Sequence, residues 1–364
     1  PHLDVFEGWV DEGLHGQMGY LAAERARRRR ANPLEILPEC RSVLVLGAYH
    51  DPPVVSPPPD DGKPRARLAA YAWGDDYHQV LKPRLEAIIS FIEEEAGWRV
   101  PARWYTDTGP ILEREFGQRA GLGWIGKNTC LINPHRGSYF LLAEILLGIE
   151  LEPDAPVTLD HCGSCRRCIE ACPTGCILPD RTIDARLCIS YLTIELRGEI
   201  PLELRAQMGN WVFGCDICQE VCPWNIRFAQ KEGNPEFRPR TAGREQELLP
   251  EIRLDQAGFA EKFRGSPVRR AGRDGYLRNV AVALGNSGNQ AAVPDLVGAL
   301  REDPSPLVRG HAAWALGQLG SQEAALGLRQ AQGTETDVSV LEEIERSLGI
   351  FLESDPPAPG NSPD

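Results

Sequence analysis

The sequence predicts three folded parts: a mixed α/β (α+β) domain, a cysteine-rich domain and a C-terminal domain of α-helical repeats. Strand-like and helix-like apolar runs alternate over the first 155 residues. All but two of the 11 cysteines lie between Cys162 and Cys222, and a Leu-Gly pair recurs every 32 residues after about residue 268. The expected domains are 1–155, 156–240 and 241–350, followed by a disordered tail at 351–364.

The first domain is predicted from apolar spacing and from turn residues. Residues 1–37 are expected to be helical, and the prolines between 52 and 64 predict a surface loop. Strands are expected at 43–50 and 98–107, and helices at 75–97, which Gly97 would end, and at 109–121, with Pro110 in the first turn. Residues 121–148 are expected to form turns and short strands.

The stretch GLGWIGKN at 121–128 has the glycine spacing of a nucleotide-binding loop. It follows a predicted helix rather than a strand, and it lacks the Lys-Ser/Thr ending of a phosphate-binding loop. These glycines therefore favour tight turns or close backbone approach.

The cysteines have the spacing of ligands to two iron–sulfur clusters. Cys162, Cys165, Cys168 and Cys172 follow C-x2-C-x2-C-x3-C-P, the ferredoxin spacing in which the fourth cysteine serves the other cluster. A second, shorter run also ends in Cys-Pro, and Cys188 can complete its set. Crossed ligation then predicts a ferredoxin-like domain with cluster one on Cys162, Cys165, Cys168 and Cys222, and cluster two on Cys172, Cys188, Cys215 and Cys218.

Zinc and disulfides are the alternatives for these cysteines. Zinc usually takes two CxxC pairs, which does not fit two runs that each end in Cys-Pro. Cys40, Cys130 and Cys176 fall outside the pattern and are expected to be buried thiols.

The C-terminal third has the signature of a short HEAT-like solenoid. Helical stretches such as RNVAVALG and RGHAAWALG are separated by turns such as REDPSP. Such repeats offer a surface for a large partner, and the alternative is a helical cap that only stabilises the chain.

The net charge of −13 argues against a bulk nucleic-acid binder, although arginines cluster at 25–30 and at 264–278. Each run is either a solvated helix face or a local polyanion site. Cluster-type cysteines and the lack of a visible leader or membrane span predict a cytoplasmic chain.

One acid stands out as a candidate for chemistry. Asp107, in YTDTGP, lies at the end of a predicted strand and before a predicted helix. It could cap that helix, or it could donate a proton at the mouth of the domain.

Six motifs together resemble epoxyqueuosine reductases, which complete queuosine synthesis in bacterial tRNA. The resemblance extends from the N-terminal helix to about residue 240, and the HEAT-like tail fits longer members. The motifs are YTDTGPILER, GLGWIGKNTCLI, GSYFLLAEIL, HCGSCRRCIEACPTGCI, CISYLTIE and FGCDICQEVCPWN.

The resemblance implies a cobalamin-binding first domain, with the corrin held between it and the ferredoxin-like domain. Electrons would pass from cluster one through cluster two to cobalt, which would open the epoxide either by direct attack or by electron transfer. Asp107 matches the family's proton donor, and burial against the corrin would raise the pKa of such an acid. No DxHxxG motif is present, so no lower histidine ligand is expected.

Further cobalamin contacts are implied by motif position, although the two leucines could be plain core and Arg30 could be solvated. These residues are Arg30, His78, Asn128, Leu131, Leu142, Ser190 and Asp216.

The implied substrate is a tRNA anticodon stem-loop carrying epoxyqueuosine. Arg269, Arg270 and Arg273 become candidates for phosphate contacts. The other expectations are a low-potential electron donor, no membrane partner and a monomer.

The alternative functions are a cobalamin-dependent reductive dehalogenase of small organohalides and a noncatalytic ferredoxin-type carrier. The lack of a visible leader and the presence of a HEAT-like tail count against the dehalogenase. The long α/β half counts against the noncatalytic carrier.

Overall fold

The computed structural model describes residues 2–50, 61–229, 233–240 and 245–354. Most of the predicted proline-rich loop lies outside this part of the chain, as do residues 355–364 of the predicted tail. None of the described helices is both long and apolar enough to cross a membrane.

An antiparallel sheet forms the centre of the N-terminal region. The long strand β6 (Phe140–Leu147) lies between β1 (Ser42–Tyr49) and β3 (Ala102–Tyr105). One face of β6 packs Ala143, Ile145 and Leu147 in the core that includes α4, and Leu146 faces the opposite side. The elements of residues 2–147 are α1 His2–Asp11, α2 Gly19–Ala22, α3 Glu24–Ala31, β1 Ser42–Tyr49, β2 Arg65–Leu68, α4 Tyr77–Ala96, β3 Ala102–Tyr105, α5 Glu113–Arg119, β4 Trp124–Ile125, β5 Leu131–Ile132 and β6 Phe140–Leu147.

The ends of α4 follow from local sequence. The Asp76 side chain accepts a hydrogen bond from the His78 N–H at 3.1 Å and so caps the start of the helix. Gly97 ends the helix in the left-handed conformation, as predicted from sequence.

The prediction for 109–121 was wrong at its start. Helix α5 begins at Glu113, so Pro110 lies before the helix rather than in its first turn. A turn at Thr106–Thr108, in which Asp107 has a φ of 60°, occupies the chain between β3 and this helix.

A second sheet joins all three parts of the chain. Strand β2, from the N-terminal region, pairs in parallel with β7 (Trp211–Phe213) and antiparallel with β8 (Glu245–Glu247). The elements of residues 156–247 are α6 Arg167–Ala171, α7 Ile189–Ile194, α8 Leu202–Arg205, β7 Trp211–Phe213, α9 Ile217–Glu220, α10 Pro223–Phe228 and β8 Glu245–Glu247.

The C-terminal region is a row of paired helices. Its elements are α11 Leu248–Glu251, α12 Gln256–Lys262, α13 Gly272–Asn286, α14 Val293–Glu302, α15 Pro306–Leu319, α16 Gln322–Gln332 and α17 Val338–Ser354. Residues 351–354 therefore extend a helix, which corrects the predicted start of the disordered tail.

The 32-residue period reflects close helix packing. A Cβ atom on Gly285 would lie 2.9 Å from the Cα of Ala315, and one on Gly317 would lie 2.8 Å from the Cβ of Ser347. Gly288 and Gly320 recur because each has a positive φ just after a helix. At Gly285 and Gly317 the repeat therefore places glycine where neighbouring helices pack closely, and at Gly288 and Gly320 it places glycine where the chain turns.

Candidate active site and cluster-binding cysteines

Four of the predicted ligands surround one small cavity. Cys172, Cys188, Cys215 and Cys218 line a space of about 70 Å³. These are the four thiols assigned to cluster two from sequence. Cys176 lines the same cavity, and its sulfur lies 3.4 Å from that of Cys172.

The Cys176 thiol affects two of these cysteines. Its hydrogen bonds lower the pKa of Cys172 to about 5 and that of Cys188 to about 7. Cys130, a second thiol predicted to be a bystander, hydrogen-bonds to Cys218. Two thiols outside the ligand pattern therefore contact cysteines within it. Among the described residues, no three His, Cys, Asp or Glu side chains form a site for a single metal ion.

The other four predicted ligands also lie in one region. Cys162 and Cys222 belong to the same apolar cluster around Trp124. Burial raises the pKa of Cys168, and the nearby Cys162 and Cys222 add to this effect. Cys165 lies in the same loop, where its N–H donates to the Cys162 carbonyl.

Two residues of the GLGWIGKN stretch hold this loop. The Lys127 ammonium donates to the Gly163 carbonyl at 2.7 Å and to the Cys165 carbonyl at 2.9 Å. The Trp124 N–H lies 3.5 Å from the Cys162 sulfur. A Cβ atom on Gly123 would collide with the backbone of Ile132, so this glycine permits close backbone approach.

A much larger cleft opens beside the small cavity. Its volume is about 900 Å³, and its lining comes from all three parts of the chain. Cys188 lines both the cleft and the small cavity. Aromatic rings form much of the wall, because Tyr71 packs edge-on against Tyr77 and also contacts Phe213.

Asp107 lines this cleft. It does not cap α5, because the residue at the N-cap position is Leu112. The Tyr77 hydroxyl donates to Asp107 Oδ2 at 2.7 Å, and His78 Nε2 lies 3.8 Å from the same oxygen. Burial, together with the Asp107 charge, raises the pKa of Tyr77, so the phenol stays protonated as a donor. The Asp107 side chain is 57% exposed, so a ligand that filled the cleft would cover it.

The other residues predicted to contact a cofactor divide into three groups. His78 and Ser190 line the cleft with Asp107. Asn128 lines the small thiol cavity instead, and the buried Asp216 accepts the Ala70 N–H at 2.7 Å.

Arg30, Leu131 and Leu142 are not among the cleft-lining residues. The Leu142 carbonyl accepts the Thr106 hydroxyl at 2.8 Å, and the Leu131 side chain is buried against Gly117. The Arg30 guanidinium lies 5.3 Å from the centre of the Phe6 ring. The Leu131 contact corresponds to the core alternative for that residue, whereas Arg30 is half-buried rather than solvated, and Leu142 is also half-buried.

The second arginine run has mixed roles. Arg269 and Arg270 are exposed at the rim of the cleft. Arg273 is buried, and its guanidinium pairs with Asp303 and donates to the Leu254 carbonyl. Arg278 is fully buried. Arg273 is therefore not available to phosphate, contrary to the expectation from charge, because its side chain holds the repeats together.

Family models match three segments of the chain. They are "4Fe-4S double cluster binding domain" over residues 161–225, "Epoxyqueuosine reductase QueG, DUF1730" over 30–108, and "HEAT repeats" over 270–349. The epoxyqueuosine reductase of Xanthomonas campestris pv. campestris is 43% identical over 316 residues, which cover 86% of this chain and 87% of that protein. The chain belongs to the epoxyqueuosine reductase family. It is therefore an oxidoreductase.

More distant epoxyqueuosine reductases share most of the chain and the fold. The Escherichia coli K12 enzyme is 39% identical, over 86% of this chain and 81% of its own. A crystal structure of an epoxyqueuosine reductase with an epoxyqueuosine-modified tRNA-Tyr stem loop superposes with a TM-score of 0.88 at 31% identity, covering 96% of this chain and 92% of that one. A Bacillus subtilis structure, described as having its catalytic aspartate loop swung out of the active site, has a TM-score of 0.86 at 31% identity, with the same coverage.

Proposed function

We propose that this chain reduces epoxyqueuosine to queuosine at the wobble position of tRNA. Conversion of the epoxide to the alkene consumes two electrons and two protons, and the epoxide oxygen leaves as water. The chain must therefore bring an electron supply, an acid and the modified base to one place. Family membership supports this reaction, and the arrangement of the cleft suits it.

The observation that carries the proposal is the position of Cys188. This thiol lines both the small cavity, with Cys172, Cys215 and Cys218, and the large cleft that contains Asp107. An electron carrier held by these thiols would lie at the wall of a cleft with an acid in it. A noncatalytic carrier needs neither the acid nor the cleft.

The thiols fit two [4Fe–4S] clusters, since four of them surround one cavity and the other four lie around the Cys162 loop. The clusters would supply single electrons when bound. Cluster one would be held by Cys162, Cys165, Cys168 and Cys222, and cluster two by Cys172, Cys188, Cys215 and Cys218. The chain's contribution is to hold these loops, through the Lys127 donors in the first case.

The cleft fits cobalamin, because its large volume and aromatic wall suit a broad, flat macrocycle. When bound, cobalamin would supply electrons from low-valent cobalt. His78, Asp107 and Ser190 would contact it from the cleft wall, Arg30 would contact its polar periphery, and Leu131 and Leu142 would contribute backbone groups. Asn128 and Asp216 would hold the backbone next to the cluster-two cysteines.

Asp107 is the proposed proton donor. Opening an epoxide develops negative charge on oxygen, and a positioned acid neutralises it. The Tyr77 hydroxyl fixes Oδ2, which leaves Oδ1 to carry the proton to the substrate. Water would be excluded when the cofactor and the base fill the cleft.

The rim suits an RNA loop. Arg270 lies 6.0 Å from the centre of the Tyr20 ring, and both residues line the cleft with Arg269. Arginines can contact phosphates, and an aromatic ring can stack on a base that is splayed out of its loop. A tRNA substrate and reduced thiols also imply a cytoplasmic chain, which we expect to act as a monomer with a low-potential electron donor.

The proposal is tested by incubating the reconstituted chain anaerobically with cobalamin, a reductant and an epoxyqueuosine stem-loop, followed by nucleoside analysis. Queuosine is the expected product, and its absence with both cofactors loaded would overturn the proposal.

Asp107→Asn should keep the Tyr77 contact but lower the rate at least about 100-fold. Asp75→Asn, at an exposed acid nearby, is the control and should keep the rate. A fully active Asp107→Asn enzyme would remove Asp107 as the donor.

A further inference from the structure

Two carboxyl groups lie behind the loop that carries Asp107, and the proposed reaction leaves both unused. Glu144 is on β6, in the middle of the antiparallel sheet, and its side chain is 0% exposed. Glu113 is the first residue of α5 and is partly buried. An acid in the centre of a sheet is costly to keep, because burial penalises its charge.

Glu113 holds the backbone of Asp107. Its Oε1 atom accepts the Asp107 N–H at 2.7 Å. Asp107 has a φ of 60°, a left-handed conformation that costs a non-glycine residue about 1 kcal/mol. The Glu113 carboxylate therefore stabilises the turn that presents the Asp107 side chain to the cleft.

Glu144 contacts Glu113 and has no hydrogen-bond donor among the described residues. Neither Glu144 oxygen meets an N–H or hydroxyl donor among the described residues, and the side chain in hydrogen-bonding contact with it is Glu113. Two adjacent carboxyl groups cannot both ionise cheaply, so they share a proton. Burial, and then the neighbouring Glu113, raise the pKa of Glu144 well above its usual range, so Glu144 keeps the proton and donates it to Glu113.

The charged and titratable groups around Glu113 are consistent with this assignment. Burial and the Asp107 carboxylate raise the pKa of Glu113 to about 7, whereas Arg114 lowers it. Arg30 of α3 and Tyr77 of α4 also interact with Glu113 electrostatically. Above about pH 7, Glu113 is therefore the ionised member of the pair.

We propose that Glu113 and Glu144 form a proton-sharing pair that positions Asp107 for proton donation. The inference rests on the proposed function of Asp107 and extends it to two residues that do not touch the substrate. Glu113 acts on the Asp107 backbone, and Glu144 supplies the hydrogen bond that keeps Glu113 in place.

Infrared spectroscopy of the cofactor-free chain tests the shared proton without any turnover. At pH 8 the wild-type chain should show a carboxylic-acid C=O band that Glu144→Gln removes. Glu115→Gln, in the same helix, is the matched control and should leave that band unchanged. A spectrum of Glu144→Gln identical to that of wild type would mean that the Glu144 proton is absent, and would overturn the proposal.

Single-turnover rates of the loaded enzyme test the positioning role. Glu113→Ala removes the acceptor for the Asp107 N–H and should slow the reaction about 100-fold without changing the Kd for the stem-loop. Glu113→Gln keeps a carbonyl acceptor and should restore most of that rate. A purely structural role would instead lower the melting temperature of both variants and leave the rate per folded enzyme unchanged, which would contradict the proposal.

The pH profile provides a third readout. In the wild type the rate should fall by only a small factor as pH decreases through about 7, to the level of Glu113→Gln, because protonated Glu113 keeps a carbonyl acceptor but is a weaker acceptor than the carboxylate. Glu113→Gln should lose this inflection, and an inflection that persists would refute the assignment. If the wild type forms no queuosine at all, the proposed function fails, while the infrared result still decides whether the pair shares a proton.

Discussion

Replacement of Arg278 by methionine should destabilise the chain strongly, although Arg278 lies in a run that charge alone would assign to RNA binding. Arg278 is 0% exposed and donates to the backbone carbonyls of Leu192, Leu196 and Gly198 at 2.5 to 2.9 Å. It therefore ties α13 to the helix that follows Cys188. Its desolvation is severe enough to lower the pKa of Arg278 to about 9.

The expected magnitude follows from these partners. One buried and two partly buried carbonyls left without a donor cost roughly 1 to 2 kcal/mol each, and removal of the buried charge returns part of that. We expect Arg278→Met to lower the free energy of unfolding by about 3 kcal/mol. Arg269→Met, an exposed change in the same run, should stay within about 0.5 kcal/mol of wild type.

Urea unfolding of the reduced, cofactor-free chain, followed by both circular dichroism and fluorescence, measures this difference. The two probes must give coincident transitions for the comparison to hold. A difference between Arg278→Met and Arg269→Met of less than about 1 kcal/mol would refute the reasoning, because the three carbonyl contacts would then contribute almost nothing.

Three further predictions follow from single contacts. Lys127→Met removes two donors to the cluster-one loop, so it should lower the iron retained after gel filtration toward half. Lys127→Arg should lose less iron. Full iron retention by the methionine variant would contradict the role of Lys127 in holding this loop. Arg269→Ala with Arg270→Ala should weaken stem-loop binding and reduce the salt slope by about one per lost phosphate contact, and an unchanged slope would exclude them as contacts. The Arg309 hydrogen bond lowers the pKa of Glu335 from 4.5 to about 2, so stability present above pH 4.5 should be lost as pH falls toward 2. Glu335→Gln should flatten acid unfolding in that window, and an unaltered acid curve would show that this ion pair contributes little.

Local patterns predicted much of the fold. The end of α4 at Gly97 and the helical repeat could be found from sequence, because each depends on residues close together in the chain. Cysteine spacing likewise predicted four thiols that surround one cavity.

Properties that depend on distant packing could not be found in this way. Arg273 and Arg278 read as exposed charge, but both are buried in the packed C-terminal region. The left-handed turn at Asp107 depends on a carboxylate six residues further along the chain. In the sequence, Glu144 is a single polar residue in an apolar strand, and no neighbouring residue in the sequence indicates that it contacts Glu113.

The apolar core has a consequence for how the chain acquires its clusters. One continuous core includes Leu68 of β2, Leu192 of α7, Phe213 of β7 and Ile344 of α17. The ribosome releases the N-terminal part first, so the cysteine loops emerge before the helices that complete their support. We expect stable cluster insertion to follow completion of synthesis, with the nascent thiols open to solvent until the last helices have packed.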